Sequence, residues 1–304
     1  MKRFYLLIII GLISVCTASA VEAAAPIFRF GVAADAQYCD TANRGTRYYR
    51  ASLTKLQECV TDFNSRDDLT FVIHLGDFID RKFASFDQLL PIYQQLKMPA
   101  YHVLGNHDFY VASADKSKVP QKLGLEKPYY DFVYHSWRFV VLDGNDLSLY
   151  ALPKGGAKYK VAEAMLQSLK AKEASNAYDW NGGIGAEQIA WLQQTLANAE
   201  QAGEKVIVFC HFPIFPKHSH NLWNDTELID AIEPYKCVVA YINGHNHRGH
   251  YGKKNGIHYL TVHGMVETPD QNAYAVFEVY KDRLNIIGYG REPSRVLHFQ
   301  QSDE

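Results

Sequence analysis

The segment Phe71-Val72-Ile73-His74-Leu75-Gly76-Asp77-Phe78-Ile79-Asp80 decides how the rest of this chain is interpreted. Its first five residues are mostly apolar and predict a buried β-strand, which Gly76 ends. The carboxylate of Asp77 follows at once, at the rim of the sheet, where α/β proteins place their ligands. Because a Gly-Asp pair after a strand is common, this segment alone does not establish a functional site.

Four other short apolar runs end in the same kinds of side chain. They cover residues 30–37, 101–108, 206–211 and 238–247, and each ends in Asp, Gln, Asn or His, often beside a glycine. Carboxylate, amide and imidazole groups are metal ligands. Packing does not explain why five strand ends all finish in such groups, so the pattern predicts a metal site.

The order of these five motifs resembles that of the calcineurin-like metallophosphoesterases. The motifs are Asp35-x-Gln37, Gly76-Asp77, Gly105-Asn106-His107-Asp108, His211 and Gly244-His245-Asn246-His247. The usual first motif of that superfamily is Asp-x-His, and Gln37 departs from it. This departure points to one branch, the manganese-dependent ADP-ribose/CDP-alcohol diphosphatases. Segments 45–50, 181–192, 222–224 and 266–269 also resemble that branch, and the resemblance runs from about Phe28 to Leu297.

The pattern of predicted elements indicates an α/β domain with a mixed sheet. Strand and helix alternate over residues 28–102, which favours parallel strands. Further predicted elements are a hairpin over 129–142 turning at His135-Ser136, helices over 46–63, 85–96 and 185–199, and closing strands over 257–262, 274–280 and 283–289. Residues 143–176 are interpreted as a loop with helical pieces. The resemblance implies a four-layer α-β-β-α sandwich with two mixed sheets, and about ten predicted strands fit it.

The N-terminus has the layout of a secretory signal peptide. Lys2 and Arg3 precede an apolar run from Phe4 to Cys16, and small residues follow, with cleavage sites predicted near Ala20 or Ala25. We therefore expect residues 1–25 to be a signal peptide and residues 26–304 to form one metallophosphoesterase domain. The protein would be exported, to the periplasm or outside the cell. No other segment is long and apolar enough to predict a membrane span.

The composition argues against nucleic acid as a partner, but it does not decide whether the cysteines form disulfides. The formal net charge of the 304 residues is -2, so no basic surface predicts nucleic-acid binding. Four cysteines remain after Cys16 is removed, and an exported protein would allow them to form two disulfides. Buried free thiols are the favoured interpretation, because a chain of this size needs no covalent cross-link. The sequence does not predict an oligomeric state.

The resemblance also implies which residues hold the metals. Two divalent cations about 3.5–4 Å apart share one carboxylate in such sites, and Asp77 is the expected bridge. One ion would be completed by Asp35, Gln37 and His247, and the other by Asn106, His211 and His245. The set contains no thiolate, and Gln37 replaces a nitrogen ligand by oxygen, so it favours a hard ion. We expect Mn²⁺, with Mg²⁺ or another divalent ion as alternatives; the other interpretation of Gln37 is a polar loop residue with water completing the shell.

Such a pair of ions is suited to the hydrolysis of a phosphate ester or anhydride by water held between them. His107 follows the predicted ligand Asn106, so it is placed to face the phosphate and to act as an acid toward the leaving group. Asp80 would orient His107, an arrangement common in the superfamily; the alternative for Asp80 is a helix N-cap. The predicted catalytic pair is therefore His107 and Asp80.

Contacts to the rest of the substrate are less specified by the sequence. Arg47 and Arg291 are candidate phosphate anchors, because a guanidinium binds phosphate through two hydrogen bonds. A surface salt bridge is the alternative for each arginine. Trp223 and Asn224 are candidates for contacts with a base or a ribose, whereas most other aromatic residues near the motifs are interpreted as walls of the site.

The leading function is hydrolysis of the phosphoanhydride bond in nucleoside diphosphate-linked small molecules such as ADP-ribose or CDP-alcohols. A phosphomonoesterase or a cyclic-nucleotide phosphodiesterase would use the same two metals, because specificity lies outside the metal ligands. A non-catalytic binding protein with this fold is expected to have lost a ligand or His107. All of these residues are present, which argues against that class.

Overall fold

The computed structural model describes Met1 and residues 25–299. The predicted signal peptide lies almost wholly outside this part of the chain. None of the helices in the described part combines the length and apolar character needed to cross a membrane.

The described residues form twelve strands and six α-helices. The strands are β1 (Phe28–Ala33), β2 (Leu69–His74), β3 (Ala100–His102), β4 (Tyr130–Tyr134), β5 (Trp137–Val141), β6 (Lys205–Phe209), β7 (Val238–Asn243), β8 (Arg248–Lys254), β9 (Ile257–His263), β10 (Ala273–Val279), β11 (Arg283–Gly290) and β12 (Arg295–His298). The helices are α1 (Ala51–Asn64), α2 (Phe86–Tyr93), α3 (Val119–Lys122), α4 (Ala157–Ala171), α5 (Ala186–Gln201) and α6 (Asp225–Ile232).

Two six-stranded mixed sheets contain all twelve strands. The first has the order β12-β11-β10-β1-β2-β3, and the second has the order β4-β5-β6-β7-β9-β8. β1, β2 and β3 are parallel, with Phe30 opposite Phe71 and Val72 opposite Ala100. β5, β6, β7 and β9 are also parallel, and β4 and β8 close the second sheet as antiparallel edges. The parallel strands expected from the β-α-β-α-β pattern are therefore confirmed.

The sheets pack face to face through aromatic side chains. Phe30 and Phe71 of the first sheet stack with centroids 4.9 Å apart, and Phe139 of the second sheet meets the Phe71 ring edge-on at the same distance. These residues alternate along their strands with residues on the outer faces, as a two-residue period requires. The outer faces are covered by helices: Leu56 and Phe63 of α1 are buried on one side, and Leu192 of α5 on the other. This is the predicted four-layer α-β-β-α sandwich.

Several element boundaries differ from the sequence prediction. β8 and β12 were not predicted, because β8 is a polar edge strand without an apolar pattern and β12 has only four residues. Residues 143–176 contain the 15-residue helix α4 rather than short helical pieces. Helix α1 begins at Ala51 instead of Thr46, because Arg44 and Arg47 form a tight turn before it.

All four cysteines of the described chain are buried and free. Burial raises the pKa of the Cys39 and Cys210 thiols to about 11. The prediction of buried free thiols, rather than two disulfides, is thereby confirmed.

Candidate metal centre

The loops that follow five parallel strands meet at one edge of the sandwich. The loops after β1, β2 and β3 carry Asp35 and Gln37, Asp77, and Asn106, while those after β6 and β7 carry His211, and His245 and His247. Backbone bonds join these loops directly, since the Gln37 N–H donates to the Asp77 carbonyl at 2.8 Å and the Gly244 N–H donates to the His211 carbonyl at 3.0 Å. The structure thus brings all seven predicted ligands together.

Asp77 lies where the two halves of this cluster overlap. Ligand atoms of Asp77, His211 and His245 lie within 4.8 Å of one another, and so do those of Asp35, Asp77 and His247. All five residues are buried. A carboxylate shared by two adjacent triads has the position that a bridging ligand requires.

The backbone at the cluster adopts an unusual conformation. Asp35, Gln37, Asp77 and His245 have φ angles of 53°, 42°, 53° and 68°. Residues with side chains rarely adopt this left-handed region, and strain of this kind concentrates at functional sites. The conformation turns each chain sharply at the end of its strand, which directs the side chains into the space between the loops.

Gly76 and Gly105 allow two of these loops to approach closely. A Cβ atom on Gly105 would lie 2.2 Å from both the backbone nitrogen and Oδ1 of Asp77. Gly76 has φ +89°, and a Cβ atom there would lie 2.7 Å from Nδ1 of His211. Any side chain at either position would displace a predicted ligand.

Each of the three histidines has one ring nitrogen hydrogen-bonded away from the cluster. Nδ1 of His211 lies 2.7 Å from the Leu75 carbonyl, Nε2 of His245 lies 2.9 Å from Oδ1 of Asn181, and Nδ1 of His247 lies 2.7 Å from Oε1 of Glu267. All three partners are acceptors, so these nitrogens carry the protons. The second nitrogen of each ring keeps its lone pair, as a metal ligand must.

Three ligand atoms of the cluster are buried without a hydrogen-bond partner. They are Oε1 of Gln37, Oδ1 of Asn106 and Nε2 of His211. Nε2 of His211 lies 3.2 Å from Oδ2 of Asp77 but without hydrogen-bond alignment. Leaving a buried polar atom unpaired costs about 1–3 kcal/mol, so three in one cluster are expected where the fold is built to bind a cation. The donor set therefore fits divalent metal ions.

The Gln37 amide group lies between the two predicted metal ligands next to it. Its Nε2 lies 2.8 Å from Oδ2 of Asp77 and 3.1 Å from Nε2 of His247. The two ends of an amide differ little in shape, and rotation by half a turn exchanges its oxygen and nitrogen. The side chain is therefore placed to present its oxygen to an ion shared with Asp77 and His247.

Negative charge in the cluster raises the pKa of His211 above its ordinary value. Burial alone would lower the pKa of His211, but the neighbouring carboxylates, Asp77 foremost, raise it to about 9. A metal ion would therefore compete with a proton for Nε2 of His211, because a ligating imidazole must be neutral.

Asp108, to which the sequence analysis assigned no role, holds the Asp77 loop in place. Its buried carboxylate accepts hydrogen bonds from the backbone N–H groups of Asp77, Phe78, Ile79 and Gly105, at 2.8–3.1 Å. These four bonds satisfy the turn that presents Asp77. The motif Gly-Asn-His-Asp contained Asp108, but only the fold shows that its side chain points away from the cluster.

His107 and Asp80 form the predicted pair beside the cluster. Nδ1 of His107 lies 2.9 Å from Oδ1 of Asp80, and the backbone N–H of His107 donates to Oδ1 of Asp77 at 2.7 Å. The Nδ1–H group of His107 donates this hydrogen bond to the Asp80 carboxylate, so Nε2 is the nitrogen that faces the open space. His107 is half-buried and lines the cavity next to the cluster.

A cavity of about 550 Å³ opens directly onto the predicted ligands. Besides Gln37, Asn106, His245 and His247, its wall includes Arg44, Arg47, Tyr110, Trp180 and His220. A larger cavity of about 930 Å³ lies beyond Leu104 and contains none of the seven ligands. The smaller cavity is therefore the candidate substrate site.

The structure brings only one of the four predicted substrate contacts to this cavity. Arg47 lines it, with Nη1 3.5 Å from Nε2 of His107. Trp223 is buried in a cluster with Leu147 and Leu166, and its indole N–H donates to the Tyr178 carbonyl. Asn224 bonds the backbone of Ile184 through both ends of its amide. The last of the four, Arg291, donates to the carbonyls of Gly264 and His247, so it supports the backbone of a ligand.

Trp180 and Glu267 are among the cavity and support residues to which the sequence analysis assigned no role. Trp180 lines the cavity, and Glu267 orients His247. Trp180 stands beside the segment 181–192 and Glu267 stands within the segment 266–269, and their place in the family resemblance was the available signal. The fold determines the direction in which each of these side chains points from the backbone.

Comparison with known proteins gives the same family for most of the chain. The sequence profile described as calcineurin-like phosphoesterase matches residues 28–249. A relative from Mus musculus, named manganese-dependent ADP-ribose/CDP-alcohol diphosphatase, is 32% identical over 94% of this chain and 97% of its own length. A relative of the same name from Homo sapiens is 31% identical over 90% of this chain and 94% of its own.

A solved structure shares the architecture. A dimetal phosphatase from Danio rerio superposes with a TM-score of 0.81 and is 26% identical, covering 90% of this chain and all of its own.

Proposed function

This chain belongs to the calcineurin-like phosphoesterase family, and on that premise we propose that it is a manganese-dependent diphosphatase. Its substrates would be nucleoside diphosphate-linked small molecules such as ADP-ribose and CDP-alcohols, cleaved at the phosphoanhydride bond. The convergence of seven predicted ligands, three of which have a buried atom without a hydrogen-bond partner, is the observation that carries this proposal.

The side chains would divide between two ions. Asp35, Gln37 and His247 would hold one ion, and Asn106, His211 and His245 the other, with Asp77 common to both. The seven predicted ligands are two carboxylates, two amides and three imidazoles. Oxygen ligands without any thiolate suit Mn²⁺ or Mg²⁺. Ions held by these residues would supply positive charge that neutralises phosphate oxygens and makes a water molecule more acidic.

His107 supplies the proton that the leaving oxygen needs. Its Nε2 faces the cavity, and Asp80 holds the ring in the required orientation from the other side. A proton donor in this place contributes about 10²–10⁴-fold to the rate. Asp80 touches no substrate, so its role is to position His107.

Arg47 stabilises the negative charge that develops on the leaving phosphate. Its guanidinium lies next to His107, so it reaches the same end of the substrate. The turn containing Arg44 and Arg47 is held by two backbone hydrogen bonds of 3.1 Å, and Arg47 pairs with Glu267 in a β-bridge. The anchor is therefore tied to the segment that orients His247.

The experiment is a comparison of substrates with the Mn²⁺-loaded enzyme and identification of the products. We expect ADP-ribose or a CDP-alcohol to exceed AMP in kcat/KM by at least ~10²-fold, because the second phosphate is a good leaving group and adds contacts. The products should be a nucleoside monophosphate and the other phosphorylated half. Faster release of inorganic phosphate from AMP, or faster opening of a cyclic nucleotide, would contradict the proposal.

We also propose that the protein is exported after cleavage near Ala20 or Ala25. The support is the sequence alone: two basic residues, Lys2 and Arg3, an apolar run and small residues at the cleavage region. Expression of the full chain in a bacterial host, followed by fractionation and N-terminal analysis, tests it. An uncleaved product beginning at Met1 and retained in the cytoplasm would contradict it.

A further inference from the structure

The wall of the metal-centre cavity differs from one side to another. One side carries positive charge and the proton donor His107, whose ring lies 4.7 Å from that of Tyr110. The exposed Arg44 and the half-buried Arg47 belong to the same turn, and Nη1 of Arg47 lies 3.5 Å from Nε2 of His107. His107 in turn adjoins the predicted ligand Asn106, so this side meets the cluster at the loop after β3.

The other side carries a row of rings. The indole of Trp180 stacks on Tyr178 with centroids 4.4 Å apart and planes 7° apart. The His220 ring lies 5.1 Å from Trp180, and the ring of the predicted ligand His245 lies 6.0 Å from it. Trp180 and His220 are both half-buried and line the cavity. This side therefore meets the cluster at the loop after β7.

The position of His107 assigns one of these sides to the leaving group. A proton donor must lie within hydrogen-bond reach of the oxygen that leaves. The phosphate attached to that oxygen then lies beside Arg47, where a guanidinium binds it well. The remaining part of the substrate extends from the attacked phosphate toward the other side, where Trp180 and His220 present aromatic surface.

Resting on the proposed function, we propose that the cavity binds its substrates in one direction. The nucleoside lies against Trp180 and His220, the second phosphate lies at Arg44 and Arg47, and water attacks the phosphorus of the nucleoside phosphate. For ADP-ribose, the oxygen of water bonds to the adenosine-linked phosphorus, and the bond from that phosphorus to the bridging oxygen breaks. The bridging oxygen leaves with ribose 5-phosphate and takes the proton of His107, while the proton of the attacking water passes to solvent.

Aromatic stacking also explains how one site would accept two different bases. Every base has a π-face, so stacking on a ring tolerates purines and pyrimidines, whereas hydrogen bonding to base edges separates them. A stacking surface therefore suits both adenosine and cytidine substrates.

The experiment is hydrolysis of ADP-ribose by the Mn²⁺-loaded full chain in water enriched in ¹⁸O, with mass analysis of both products. We expect the label in AMP and none in ribose 5-phosphate. Label in ribose 5-phosphate, or in both products, would overturn the proposed direction and leave the diphosphatase activity standing. Absence of any cleavage of the anhydride would overturn the proposed function and this inference with it.

Variants of Trp180 test the nucleoside side separately. Trp180→Ala should raise KM for ADP-ribose about tenfold or more while kcat falls far less, the loss expected for one stacked base. Trp180→Phe should recover most of that affinity, because it keeps a ring. The matched control is Trp191→Ala on helix α5, whose ring packs against Tyr129 and does not line the cavity. Equal KM values for Trp180→Ala and the control would overturn the assignment.

Discussion

The ligand atoms at the metal centre are kept free by bonds made elsewhere in the same side chains. Leu75, Asn181 and Glu267 each occupy one nitrogen of a predicted histidine ligand. The carboxylate of Asp108 occupies the backbone donors around Asp77. As a result the second nitrogen of each ring is left for the cluster, which is the arrangement expected of a preorganised site.

At the residue scale, the contribution of His107 to catalysis is separable from metal binding. We expect His107→Ala to keep the Mn²⁺ content near normal and to lose about 10²–10⁴-fold in kcat, because only a proton donor is removed. His298→Ala, an exposed histidine outside the cavity, is the control and should behave as the unmodified enzyme. Loss of metal together with activity in His107→Ala would place His107 among the ligands.

A second prediction about a single residue is that Gln37 sets the metal preference. Gln37→His replaces an amide by the imidazole usual in the superfamily and should shift activation from Mn²⁺ toward Zn²⁺, Fe²⁺ or Co²⁺. The measurement is kcat/KM of the variant after loading with each ion in turn. An activation profile identical to that of the unmodified chain would show that Gln37 does not select the metal.

The residues of the site divide into those that the sequence specified and those that it did not. Ligand motifs could be predicted because their order and spacing are visible in the chain. Trp223 and Trp180 are the opposite case: both stand near motif segments, yet Trp223 packs against Leu166 and Trp180 faces the cavity. Side-chain direction in a loop depends on contacts from distant segments, which the sequence alone does not specify.

At the element scale, the loops after parallel strands carry the function and the strands align them. The central strands were predictable because buried parallel strands are continuous apolar runs. The edge strand β8 was missed because its residues are polar and it pairs with β9 only. Helix α4 was predicted only as helical pieces within a loop, because its lysine-rich and alanine-rich sequence buries only Ala162 and Leu166.

The metal centre also requires the loops after β2 and β3 to approach each other closely. Gly105→Ala would place a Cβ atom 2.2 Å from the backbone nitrogen of Asp77, so the loops after β2 and β3 must separate. We expect the variant to lose both Mn²⁺ ions and most activity, as measured by metal analysis and kcat/KM. Gly156→Ala is the control, since that glycine has a φ of -64° just before α4 and the atom nearest to an added Cβ is the Pro153 carbonyl oxygen, not a predicted ligand. Normal metal content in Gly105→Ala would contradict the requirement for close approach.

At the scale of the whole molecule, the two sheets and the metal centre should be energetically linked. The ligands come from loops of both sheets, so bound ions hold the sheets together at one edge. An ion at 100 times its Kd stabilises the folded state by about 2.7 kcal/mol, if it does not bind the unfolded chain. We therefore expect Mn²⁺ to raise the Tm by several degrees and a chelator to reverse the rise.

The control for this stabilisation is Asp77→Asn. The substitution removes the charge that both ions share, so the Tm of the variant should respond little to Mn²⁺. Calorimetric scans of both proteins, with and without Mn²⁺, make the comparison. A Tm of the unmodified chain that is insensitive to Mn²⁺ would show that the ions do not join the two sheets.

The central claim is that seven side chains from the two sheets hold two ions around Asp77. Diffraction from crystals grown with Mn²⁺, recorded at the manganese absorption edge, tests this claim most directly. We predict two anomalous peaks on either side of the Asp77 carboxylate, one contacted by Asp35, Gln37 and His247 and the other by Asn106, His211 and His245. A single peak, or two peaks that do not share Asp77, would contradict it.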